Sequence, residues 1–140
     1  MSSLIYNNYK ELALNGGINL SNDTIKCALV TSAYTPDADA HDFFDDITNE
    51  VGASGTYAAG GVTLTVTVSQ DNTDNEGVMD ATDVAFTTAT ITARAAIIYK
   101  FTGTAGTSPL IAYIDFGADK SSSAGTFTIS WNSEGIINLS

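Results

Sequence analysis

Ile91-Thr92-Ala93-Arg94-Ala95-Ala96-Ile97-Ile98-Tyr99-Lys100, followed after a short polar link by Leu110-Ile111-Ala112-Tyr113-Ile114-Asp115-Phe116, decides the fold class. Both runs are rich in β-branched and aromatic residues, and neither has the three-to-four spacing of a helix face. Apolar side chains fall at odd and even positions alike, so the strands they predict are covered on both sides. The links beside them, Thr102 to Pro109 and Gly117 to Gly125, are built from turn-forming residues. Short connections join antiparallel neighbours and leave no room for crossover helices.

The same signal extends in both directions. Val84-Ala85-Phe86, Thr126 to Trp131 and Ile136 to Leu139 read as further strands. Upstream, Ile25, Cys27 and Leu29 alternate with Lys26, Ala28 and Val30. Val62, Leu64, Val66 and Val68 alternate with Thr63, Thr65 and Thr67, a pattern that suits a sheet with one wet face. Residues 1–17 form an N-terminal helical segment: Ile5, Tyr9 and Leu12 recur at helical spacing beside Leu4, and Asn15-Gly16-Gly17 supplies a left-handed stop.

Residues 34–61 form an irregular acidic loop region. Pro36-Asp37 starts a helical turn, Asp42 to Ile47 forms a short helix with Phe43, Phe44 and Ile47 turned inward, and Gly52 to Gly61 is a loop or bulged strand entry. The expected fold is one all-β domain over residues 1–140, an antiparallel β-sandwich or jelly-roll-like domain with one or two short helices. Its core is expected to include Ile25, Leu29, Val66, Ile97, Ile114, Phe127, Ile129 and Trp131.

Sixteen acidic residues against five basic ones give the 140-residue chain a net charge of −11. That charge repels a phosphate backbone and removes the counterion-release term that dominates nucleic-acid affinity, so no nucleic-acid partner is expected. Eleven of the sixteen acids lie in two segments, Asp37 to Glu50 and Asp71 to Asp83, which are expected to be exposed. Charged residues make up only 15 % of the chain, so much of the surface is small and neutral and loses little side-chain entropy when covered. No apolar run approaches the roughly 20 residues of a membrane span, and Met1 to Lys10 lack a basic region leading into an apolar stretch. Neither export nor membrane insertion is expected. The lone Cys27 alternates with Ile25 and Leu29 and reads as a buried strand thiol.

Catalytic patterns are scarce. His41 is the only histidine, and Val51-Gly52-Ala53-Ser54-Gly55 lacks the glycine spacing of a nucleophile elbow around Ser54. A buried Cys27 would not ionise to serve as a thiolate. Asp37-Ala38-Asp39-Ala40-His41-Asp42 fits a calcium loop poorly, because the sixth and twelfth positions hold Asp42 and Thr48 in place of glycine and glutamate. A solvated acidic helix start is the simpler reading, with an irregular oxygen-rich calcium site as the alternative. Asp71-Asn72-Thr73-Asp74-Asn75-Glu76-Gly77 reads as a hairpin turn. A glycosidase would pair two carboxylates, but Trp131, the only tryptophan, alternates with Phe127 and Ile129 and so reads as core rather than as a sugar platform. Gly16-Gly17 and Gly60-Gly61 are not followed by the lysine and hydroxyl residue of a phosphate loop. The expectation is therefore no enzyme, no catalytic residue, no cofactor and no metal ligand. Arg94, the only arginine, is expected on a wet strand face beside a carboxylate, or as a bidentate anchor to a carboxylate within the fold or across a subunit contact.

Ile91 to Lys100, Ser108-Pro109-Leu110-Ile111-Ala112-Tyr113-Ile114-Asp115-Phe116-Gly117 and Gly125-Thr126-Phe127-Thr128-Ile129-Ser130-Trp131-Asn132 resemble small β-rich virion structural proteins of tailed bacteriophages. Asn15-Gly16-Gly17-Ile18-Asn19-Leu20 and Ile25-Lys26-Cys27-Ala28-Leu29-Val30 resemble the start of the same proteins. The resemblance implies a capsid decoration, or cement, protein that stabilises the phage head. It would be made in the host cytoplasm and carried on the capsid exterior, with the major capsid protein and copies of itself, as a homotrimer, for partners. A tail or head-to-tail connector component, or a receptor- or glycan-binding virion module, are the alternatives. No catalytic residue comes with the resemblance.

Overall fold

The computed structural model describes residues 2–140 and is all-β and sandwich-like, with one α-helix. Two antiparallel sheets form. The larger has five strands in the order β1-β7-β6-β2-β3, where β1 is Leu4–Ile5, β2 Ile25–Val30, β3 Val62–Thr63, β6 Val84–Lys100 and β7 Leu110–Ile129. The smaller has three in the order β4-β5-β8, with β4 Val66–Asp71, β5 Glu76–Ala81 and β8 Ile137–Leu139.

β2 and the adjoining half of β6 make the centre, in the register Ile25↔Lys100 to Val30↔Ala95. Their apolar residues point both ways, and each face has its own core. Cys27, Leu29, Ala96 and Ile98 belong to the first, shared with Met79 of the small sheet and with Phe86, Phe127 and Ile129 from the far ends of β6 and β7. Ala28, Val30, Ile97 and Tyr99 belong to the second, closed by Tyr6, Tyr34 and the half-buried Phe44 and Ile47. Phe44 stacks on Tyr99 with ring centroids 4.2 Å apart, so the first part of the irregular region, from Tyr34 to Ile47, is the lid of this second core, while Val51 and Tyr57 belong to the first.

Ile25, Leu29, Ile97, Phe127 and Ile129 are buried as expected, while Val66, Ile114 and Trp131 are only half-buried against the first core. Several other expectations are corrected. Leu4 and Ile5 are strand, paired with Tyr113 and Ala112, because two apolar residues facing an open sheet edge gain ladder hydrogen bonds as well as burial. The helix α1, Asn7–Asn15, starts after them and stops at Gly16, in the left-handed conformation the sequence predicts. Val62 to Val68 is not one strand: it leaves the large sheet after Thr63 and enters the small one at Val66. Val84 to Phe86 and Ile91 to Lys100 are one strand of 17 residues, and the supposed link Gly117 to Gly125 lies inside β7. Asp42 to Ile47 holds only a 3-10 turn at Phe44–Asp46. Among the described residues, no helix is long and apolar enough to cross a membrane.

Candidate functional site

The sequence singles out Arg94, and the long β6–β7 ribbon shows why. Pairing runs from Ala95↔Asp115 to Ala93↔Lys120, so two steps on β6 face five on β7 and β7 must bulge. Gly117 takes the left-handed conformation there, with φ +82°. Arg94 is the β6 residue opposite the bulge. Its Nε donates to Asp115 Oδ1 at 3.0 Å, and the Gly117 N–H donates to the same oxygen at 2.9 Å. The Asp115 amide in turn donates to Ser3 Oγ at 2.8 Å. Burial works to raise the Asp115 pKa, but the Gly117 N–H and the guanidinium outweigh it and hold this carboxyl below its ordinary value. The contact is made by Nε alone, so it is a carboxylate anchor within the fold without the bidentate geometry.

The bend gathers Ile114, Phe116, Lys120, Phe127 and Trp131 around an open groove of about 430 Å³. Phe116 and Phe127 lie 6.4 Å apart. Trp131 corrects the expectation of a strand core residue: β7 ends at Ile129, and the indole is half-buried with its N–H donating to the Thr82 carbonyl at 3.0 Å.

On the lid, Tyr34, His41 and Tyr6 form a hydrogen-bonded chain. His41 Nδ1 lies 3.2 Å from the Asp37 amide and 2.9 Å from the Tyr34 hydroxyl. An amide can only donate, so Nδ1 is an acceptor, Tyr34 donates to it, and Tyr6 donates to Tyr34 at 2.9 Å. Burial foremost, and then donation to Tyr34, raise the Tyr6 pKa well above its ordinary value. No hydrogen bond joins His41 to Ser54 or Cys27 among the described residues; Ser54 Oγ accepts from the Thr90 amide instead. Complete burial pushes the Cys27 thiol up to about 12.

The acidic segments are largely engaged by their own backbone. Asp37 Oδ1 accepts from the Asp39 and Ala40 amides, and Asp46 Oδ2 from those of Asp42 and Phe43; in each case the N–H donors lower the carboxyl pKa. The two segments are not simply exposed: Asp42, Asp46, Glu50, Asp71, Glu76 and Asp80 are half-buried, and Glu50 Oε2 accepts from the Tyr57 hydroxyl and the Gly60 amide, both at 2.7 Å. Asp71 to Gly77 is the expected hairpin turn, with Asn75 at φ +60° and Asp71 Oδ1 accepting from Thr73 and Asp74. What sequence reasoning missed is Glu134, brought in by the chain leading to β8: carboxylate oxygens of Asp71, Asp74, Glu76 and Glu134 lie within 4.8 Å of one another. These four are the residues placed to hold a hard cation such as calcium, by ligand chemistry alone.

Compared with models of protein families, with curated proteins and with solved structures, the chain has no match in any of the three.

Proposed function

We propose that this chain is a structural protein of a tailed-phage particle, a decoration protein that docks as a homotrimer on the capsid exterior. The observation that supports the reading is an uncharged open face on a chain of net charge −11. α1 presents Tyr9 and Ala13 to a shallow groove of about 350 Å³ whose lining also includes Leu20, Val68 and Leu139 and contains no charged residue. Val68 is 48 % exposed and Leu139 76 %, and Leu14, next to Ala13 on the helix, is 91 % exposed. Large apolar side chains left open beside one another mark an interaction surface. Copies this acidic repel one another, so contacts with each other and with the shell form where charge is absent. Leu4 and Ile5 are already committed to the chain's own sheet, and Tyr9 and Leu12 pack partly against the first core, which leaves the Ala13-Leu14 end of the helix for the contact. Several such contacts per trimer act together through effective concentration.

The test is to add purified protein back to heads that lack it. Wild-type protein is expected to sediment with the heads and to protect them against heat and low salt, and Val68→Asp and Leu139→Asp to do neither. Equal protection by the aspartate variants would reject this face. A tail or connector component, the nearest rival, would bind at one vertex and leave head stability unchanged.

A further inference from the structure

Beside the Arg94 anchor lies a small pocket of about 130 Å³, distinct from the groove, lined by Ser32, Tyr34, Thr35, Arg94 and Tyr113. All five lining side chains carry hydrogen-bonding groups. The Tyr34 hydroxyl is already engaged, accepting from Tyr6 and donating to His41. Arg94 is not, since Nε alone is used and neither terminal nitrogen hydrogen-bonds within the described residues. Tyr113 is the most informative: its side chain is only 2 % exposed, yet its hydroxyl has no hydrogen-bond partner among the described residues. Tyr113 lines the pocket together with Arg94, the only charged side chain among its walls. No sealed polar side-chain atom is left without a partner, so the hydroxyl meets solvent through the pocket.

We propose that this pocket binds a carboxylate, held by the terminal N–H groups of Arg94 and the hydroxyl of Tyr113, with Ser32 and Thr35 at its mouth. A guanidinium edge donates to both oxygens of a carboxylate, and the phenol O–H adds one further donor to either oxygen. A phosphate dianion fits less well, because Asp115 stands against the same guanidinium and the chain as a whole is strongly acidic. The carboxylate comes either from a free small acid or from an acidic side chain of a second copy. The pocket stands independently of the capsid reading; only the second of these sources shares its premise of self-association.

The probe is sodium acetate, titrated into the full chain against sodium chloride at equal ionic strength, with the Arg94 Nε–H and Tyr113 ring resonances followed by NMR. Saturable shifts at both residues with acetate, absent with chloride, are expected. Tyr113→Phe, which keeps the packing and the Arg94–Asp115 pair, should weaken acetate binding about tenfold, the effect of losing one charge-assisted hydrogen bond. Arg94→Lys, which keeps charge but loses the fork, should weaken it at least as much. Shifts no different from those with chloride, or unchanged acetate affinity in Tyr113→Phe, would overturn the site, and phosphate binding more tightly than acetate would overturn the ligand class. Light scattering separates the sources: acetate that lowers the assembled mass supports a neighbour's carboxylate, and acetate that binds without changing it supports a free acid.

Discussion

Burial differs sharply between the two side chains that a purely periodic reading treats alike. Leu29 is completely buried at the centre of the large sheet, so Leu29→Ala removes contacts on every side and is expected to cost about 4 kcal/mol. Trp131 packs only part of its indole against the core, and Trp131→Ala should cost about 2 kcal/mol, below the range of a fully buried aromatic. Chemical denaturation of both variants checks the order, and an equal or larger loss at Trp131 would mean the indole is core after all. Alternation with Phe127 and Ile129 correctly put Trp131 on the inward side. It did not reveal that the strand ends at Ile129, nor that the indole N–H bonds the Thr82 carbonyl, nearly fifty residues earlier in the chain.

At the scale of the elements, glycines with left-handed backbones separate what is packed from what is open. Gly61, at φ +81°, lies so close to β2 that an added Cβ would land on the Cys27 carbonyl. Gly117, at φ +82° in the β7 bulge, has nothing near the position of a Cβ. Gly61→Ala is therefore expected to lose more than about 3 kcal/mol, and Gly117→Ala only about 1 kcal/mol from backbone strain. Similar losses for the two, measured by urea unfolding, would contradict the close approach at Gly61. The strands of the large sheet were legible because their burial is a property of local alternation. Which sheet Val66 joins was not, since β3 and β4 share one uninterrupted pattern and separate only where Leu64 bonds back to Ile25. Gly117 to Gly125 looked like a link because its residues favour turns, yet Ser121 and Ser122 are held in the ladder by Thr92 and Ala89 across the ribbon. Arg94 was legible as an anchor from its isolation in a neutral strand. The pocket it shares with Tyr113 was not, since its walls come from three separate stretches of chain.

For the whole molecule, the buried tyrosines and the backbone-bonded aspartates set the pH range of stability. Burial raises the pKa of Tyr6, Tyr57 and Tyr99 above the ordinary phenol value and pushes Tyr34 up to about 12. A raised pKa means stability that is fully present below the unfolded value, about pH 10, and is lost as pH rises through the folded one. Asp37, Asp46 and Asp115 are lowered, so their contribution is present above about pH 4 and is lost as pH falls through their folded values. The melting temperature is expected to be nearly flat from about pH 5 to 9, with unfolding above about pH 10 accompanied by tyrosine ionisation. Tyrosines that ionise near pH 10 in a chain that stays folded would contradict their burial.

In the proposed capsid role, the uncharged face beside α1 is where copies would meet each other and the shell, and electron microscopy of purified particles tests that role most directly. Many copies in threefold clusters over the head exterior, each with Val68 and Leu139 turned toward the shell or a neighbouring copy, are the predicted result. A few copies confined to one vertex or to the tail, or heads that carry none, would contradict it.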